Sequence, residues 1–147
     1  MMRPTNETIY LTFDRVIALH AAVLERTGSP PCPLLFSEKL DSALHRPLNA
    51  AHYNQADLIE QAIILGVAIS QSQAFEDGNK RVGFAAADSF LRLNGLVYVG
   101  PPMDLAERLV AVADPASNAI RDARIVEFAA WVRPYVIQGE GTMAVKR

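Results

Sequence analysis

Apolar positions take up helical spacing close to the start of the chain. Phe13, Val16, Ile17, His20 and Leu24 recur every three or four residues and would line one face of a helix. Thr12 offers its N-cap and Gly28 its stop. Three prolines, Pro30, Pro31 and Pro33, make the next stretch a loop. Residues 37–46 read as a short helix capped by Ser37, with Leu40, Ala43 and Leu44 inward and Pro47 ending it. Residues 49–55 read as polar loop. Asp57 then caps a helix whose Leu58, Ile59, Ala62, Ile63, Leu65, Val67 and Ile69 occupy nearly every side, the pattern of a helix surrounded by protein. Gly66 within it costs roughly 1 kcal/mol relative to alanine and admits a close helix contact. The pattern breaks at Ser70-Gln71-Ser72. A second helix, apolar almost all round, carries Val82, Phe84, Ala85, Ala86, Ala87, Phe90, Leu91 and Leu93 and stops at Gly95.

Residues 96–99 read as a short extended piece closed by Gly100-Pro101-Pro102, and residues 104–113 as a helix ended near Pro115. Asp122 caps a last helix with Ile125, Phe128, Ala129 and Val132 inward, and Trp131 is a packing residue. Residues 1–9 are a loose polar lead-in and 139–147 a mobile tail. The whole predicts an all-α fold: a compact, single-domain helical bundle with its core at about 11–136. One polar stretch, Gln73 to Arg81, lies between the two most buried helices.

Composition narrows the partners. A chain of 147 residues, half of them apolar, can bury roughly two thirds of its unfolded surface in one domain. A net charge of −2 argues against a polyanion-binding surface, so direct nucleic-acid binding is not expected. No apolar run is long enough to span a bilayer, and the first residues contain no apolar leader. Cys32 is the sole cysteine, which excludes an internal disulfide and fits a reducing cytoplasm; beside prolines it reads as incidental. His45 and His52 flank Pro47 seven residues apart, which is not metal-ligand spacing. His20, on the apolar face of its helix, reads as a core-edge histidine with a hydrogen-bond partner.

The polar stretch carries the candidate chemistry. Phe75 would anchor it to the core. Asp77 is a hard oxygen ligand suited to magnesium shared with phosphates, or alternatively a helix N-cap. Gly78 lets the backbone turn and approach an anion. Asn79 can donate its amide to a phosphate oxygen. Lys80 and Arg81 open the helix, where the dipole and the free N–H groups favour an anion and disfavour two cations. A bound phosphate chain would account for the cations, Arg81 as a planar fork and Lys80 as a point charge. Exposed surface placement is the alternative.

Gln73-Ala74-Phe75-Glu76-Asp77-Gly78-Asn79-Lys80-Arg81 resembles the signature of the Fic/Doc family, His-x-Phe-x-Asp/Glu-Gly-Asn-Lys/Gly-Arg, and more closely its Doc (death-on-curing) toxin branch. The stretches 16–20, 40–47 and 89–95 also look Doc-like, so the resemblance covers roughly residues 11–136. It implies a helical bundle with the signature loop between two central buried helices, and ATP with Mg2+ as cofactors. It implies that Asp77 holds the metal, that Gly78, Asn79 and Lys80 bind phosphate, and that Arg81 contacts the phosphate chain. AMP-transferring Fic enzymes usually have glycine where Lys80 stands. Doc-type toxins have lysine and are associated with phosphoryl transfer from ATP to elongation factor Tu, which stops translation. They are usually paired with a small Phd-like antitoxin. The departure is Gln73, where the family has its catalytic histidine. A carboxamide cannot accept a proton near pH 7 as imidazole does. A degenerate family member, a detoxified variant, or another base such as Glu76 would each account for it.

Overall fold

The computed structural model describes residues 7–113 and 118–139. Its centre is a helix pair, α3 (Leu58–Ser72) and α4 (Asn79–Leu93). α3 starts on a capping box: the Asp57 carboxylate accepts from the Glu60 N–H and the Glu60 carboxylate accepts from the Asp57 N–H, each at 2.9 Å. Ile63, Leu65 and Ile69 of α3 and Val82 and Phe90 of α4 are fully buried. The two backbones meet at Gly66 and Gly83. A Cβ on Gly66 would lie 3.1 Å from the Gly83 carbonyl oxygen and 3.2 Å from the Ala87 Cβ. A Cβ on Gly83 would lie 2.7 Å from the Gly66 carbonyl oxygen and against the Ser70 hydroxyl. The expected close contact at Gly66 is therefore present, and Gly83 is the tighter of the two.

Around this pair pack α1 (Phe13–Arg26) on α4, α2 (Ser37–Asn54) on α3, and α5 (Pro102–Ala113) and α6 (Asn118–Val132) on α3. Thr12 caps α1 through a 3.1 Å bond from the Arg15 N–H, and Gly28 just beyond its end is left-handed at φ 74°. Two three-residue strands, β1 (Leu96–Tyr98) and β2 (Val136–Gln138), pair antiparallel with Tyr98 opposite Val136. The fold is all-α in character, as the periodicity predicts. No helix among the described residues is long and apolar enough to cross a membrane.

Four expectations are corrected. α2 does not end at Pro47 but runs through it to Asn54, so residues 49–54 are helix rather than loop. Proline removes one backbone donor and disfavours a helix interior. Here the stripe Leu40, Ala43, Pro47 is buried, with Pro47 among the least exposed residues of the protein, and that packing carries the helix on. Ser37 is the first residue of α2 and not its cap; the N-cap is Phe36, without a side-chain bond. α6 begins at Asn118, so Asp122 lies within the helix. The lead-in is held at its end: Ile9 exchanges two hydrogen bonds with the Asn94 side chain, at 2.8 and 2.9 Å. Pro115 and residues 140–147 fall outside the described residues. Trp131 packs beside Phe128 and Tyr135, with the Arg108 guanidinium 4.1 Å from its ring centre.

Candidate functional site

The polar stretch is the turn between α3 and α4, and each of its backbone segments is held by a different part of the chain. α3 ends on Gln73, which is left-handed at φ 56° with its side chain exposed. A non-glycine residue in that conformation is uncommon, and such outliers gather at functional loops. Ala74 and Phe75 are buried. The Ala74 carbonyl accepts from the Leu35 and Phe36 N–H groups at 2.7 and 3.0 Å, and the Glu76 N–H donates to Pro33 at 3.2 Å. Leu34 and Phe75 form an antiparallel bridge. The proline-rich segment before α2 thus runs alongside the loop and supports it.

Asn79 clamps the loop from within. Its Oδ1 accepts from the Phe75 N–H at 3.1 Å and its Nδ2 donates to the Phe75 carbonyl at 2.9 Å. Gly78, the N-cap of α4, is left-handed at φ 86°. A Cβ there would lie 3.2 Å from Leu24 Cδ2 and 3.3 Å from His20 Nε2. Gly78→Ala is accordingly expected to lower stability by about 1–2 kcal/mol, the ordinary cost of forcing an L-residue into this region. An unchanged urea unfolding midpoint would contradict that expectation.

Arg81 is fixed by three partners. Its Nη1 donates to Thr27 Oγ1 at 2.6 Å and Ser29 Oγ at 3.0 Å, and its Nη2 donates to Asp77 Oδ2 at 3.1 Å. With the Asp77 side chain 64% exposed, this pair adds little to stability and serves to orient the guanidinium. Among the described residues no side chain caps α4, and no acidic residue stands in its first turn. Its free N–H groups and dipole therefore favour an anion there. Beside it, Arg26, Lys80 and Arg81 border a cavity of about 240 Å³ whose apolar side includes Val23, Phe84 and Ala85. A cavity of about 430 Å³ between α2, α3 and α6 contains no residue of the loop, and the chemistry favours the smaller one.

This loop, all of α3 and α4 up to Leu91 lie within a span, residues 10–91, that matches the Fic/DOC family. The chain belongs to the Fic/DOC family. None of the curated proteins compared with it matches.

Against the family's chemistry, the residues sort as follows. Asp77, Gly78, Lys80 and Arg81 come together at the start of α4, with Lys80 exposed. The second Asp77 carboxylate oxygen makes no hydrogen bond among the described residues. A single open carboxylate fits magnesium, which is usually held by one or two carboxylates together with substrate phosphates. No group of three or more His, Cys, Asp or Glu side chains that could hold a metal by itself exists among the described residues. Asn79 shapes the loop through Phe75, and the second hydrogen of its Nδ2 stays available as a donor. Glu76 is exposed on the loop. Thr27, Ser29 and His20 belong to the site although nothing in their local sequence marks Thr27 or Ser29. His20 has the hydrogen-bond partner expected of it, and that partner is the loop itself: Nε2 lies 2.8 Å from the Asp77 carbonyl.

Proposed function

We propose that this Fic/DOC chain is a Doc-type protein that binds magnesium–ATP at the start of α4, built for phosphoryl transfer to a translation protein of the elongation factor Tu type, with turnover impaired by Gln73. The observation that carries this reading is Lys80 placed between the clamp Asn79 and the fixed Arg81, at an uncapped helix N-terminus. Magnesium–ATP would supply the transferable phosphoryl group and neutralise its charge. The free N–H groups of α4, Lys80 and Arg81 would bind the phosphates, and Asp77 would hold the metal. Lys80 argues against AMP transfer, where the resembling enzymes carry glycine. A small Phd-like antitoxin is the natural partner of such a protein, and the cytoplasm its place, with the whole chain acting as one domain.

A second reading, a family member that binds nucleotide or antitoxin without turnover, rests on Gln73 alone, because a carboxamide supplies no base. Both readings require the anion site. Calorimetric titration of magnesium–ATP into the chain as it stands is expected to show binding. Arg81→Ala should weaken it by about 10-fold or more, the worth of a charge-assisted hydrogen bond. A folded chain that takes up no magnesium–ATP, or an Arg81→Ala variant with unchanged affinity, would remove the basis of the proposal.

A further inference from the structure

His20 stands on α1, far in sequence from the loop, yet its ring is wedged beneath the turn into α4. It is 4% exposed. It stacks on Phe75 with ring centres 3.7 Å apart and planes 14° apart. Its Nε2 lies 2.8 Å from the Asp77 carbonyl oxygen. A carbonyl only accepts, so Nε2 carries the hydrogen in this arrangement. The Cys32 thiol approaches the same oxygen at 3.5 Å. Two donors, the buried imidazole and the half-buried thiol, therefore converge on one carbonyl.

That carbonyl belongs to the peptide unit whose N–H is the N–H of Gly78. The unit is planar and trans, since the described chain has no cis peptide. In a trans peptide the N–H points opposite to the C=O. Drawing the Asp77 oxygen onto His20 turns the Gly78 N–H to the opposite side of the peptide unit, away from the imidazole. Hydrogen bonding at the oxygen also polarises the N–H at the other end of the unit. Gly78 has no side chain that could lock this plane, and its lack of a Cβ is what lets His20 approach.

We infer that His20 is a positioning residue that aims the Gly78 N–H as an anion donor of the phosphate site. The anion in question is the one in the proposed function, so this inference rests on that reading. It gives the buried histidine a task beyond filling the α1–α4 contact.

The test uses the full chain and three variants of measurement. In His20→Leu, the Gly78 amide resonance should shift and its hydrogen exchange should slow, while amides of α5 and α6 stay as they were. Magnesium–ATP should bind about 10-fold more weakly, and His20→Gln, which can place a donor near the same point, should recover affinity to within about 3-fold. A folded His20→Leu chain whose Gly78 amide is unmoved, or whose changes spread evenly through the fold with affinity intact, overturns the inference. If His20→Leu does not fold, nitrogen-detected spectra of the unaltered chain decide: the Nε2–H tautomer supports the inference and a dominant Nδ1–H tautomer overturns it. If the unaltered chain binds no magnesium–ATP, the functional proposal fails, and the Gly78 amide and tautomer measurements still judge His20.

Discussion

Gln73→His is expected to raise transfer of labelled γ-phosphate from ATP to a protein target by about 10²–10⁴-fold, the usual contribution of a positioned general base. In barrier terms this is about 3–5 kcal/mol. The position is ready to receive the change. Gln73 is exposed at the end of α3, and its side chain makes no hydrogen bond among the described residues, so no hydrogen bond is lost with it. Its φ of 56° is left-handed, a region histidine enters more readily than most side chains. The loop beyond it is braced by Asn79, His20 and the 33–36 segment, none of which involves residue 73. The rate should climb as the new imidazole loses its proton, near pH 6.5 for an unperturbed ring. Growth inhibition on expression should accompany it. A folded variant that transfers nothing when supplied with magnesium–ATP would take most of the support from the enzymatic reading. Label arriving from the α-phosphate would instead mark AMP transfer. Loss of residual activity in Glu76→Gln, with Gln73 unchanged, would identify Glu76 as the working base.

Gly83→Ala is expected to destabilise the fold by about 2 kcal/mol or more, and Gly66→Ala by clearly less. Two effects compete at each site. Alanine favours a helix over glycine by about 1 kcal/mol. Overpacking a close contact costs about 1–3 kcal/mol and sometimes more. At Gly66 the nearest atoms to a new methyl are 3.1–3.2 Å away, and one of them is the movable end of Leu109, so the terms nearly balance. At Gly83 a methyl meets the Gly66 carbonyl oxygen at 2.7 Å, which is backbone and cannot step aside. It also meets the Ser70 hydroxyl, which is buried and has no hydrogen-bond partner among the described residues. Chemical unfolding of both variants would check the ranking. Equal midpoints for Gly83→Ala and the unaltered chain would show that α3 and α4 can separate freely. Ser70→Ala should by itself be neutral or stabilising, because it removes an unsatisfied buried hydroxyl.

The parts legible in the sequence were those written in local pattern. Lys80 and Arg92 leave α4 with an exposed side that the all-round reading did not give it, but the all-round apolar α3, the apolar face of α4, the Asp57 cap, the Thr12 cap and the turn at Gly28 each follow from a few neighbouring residues. So does the loop between α3 and α4, whose charges have no role in a core. The parts that stayed hidden depend on distant residues. Pro47 reads as a helix end until its burial is known. β1 falls in the extended piece read at 96–99, but its partner β2 is three residues long, too short for alternation to show. Arg81 could be suspected of touching phosphate, but its anchors Thr27 and Ser29 lie more than fifty positions away. The role of Asn79 as a clamp needs the turn geometry that brings Phe75 back within reach.

The exposed seat of Gln73 has an evolutionary side. Glutamine and histidine codons differ only in their third base. Because residue 73 lies outside every brace of the loop, that one base change would place an imidazole at the site while leaving the packing around it in place. Under the proposed function, a single base change at this codon would supply a general base, with no loss of packing to cross in either direction.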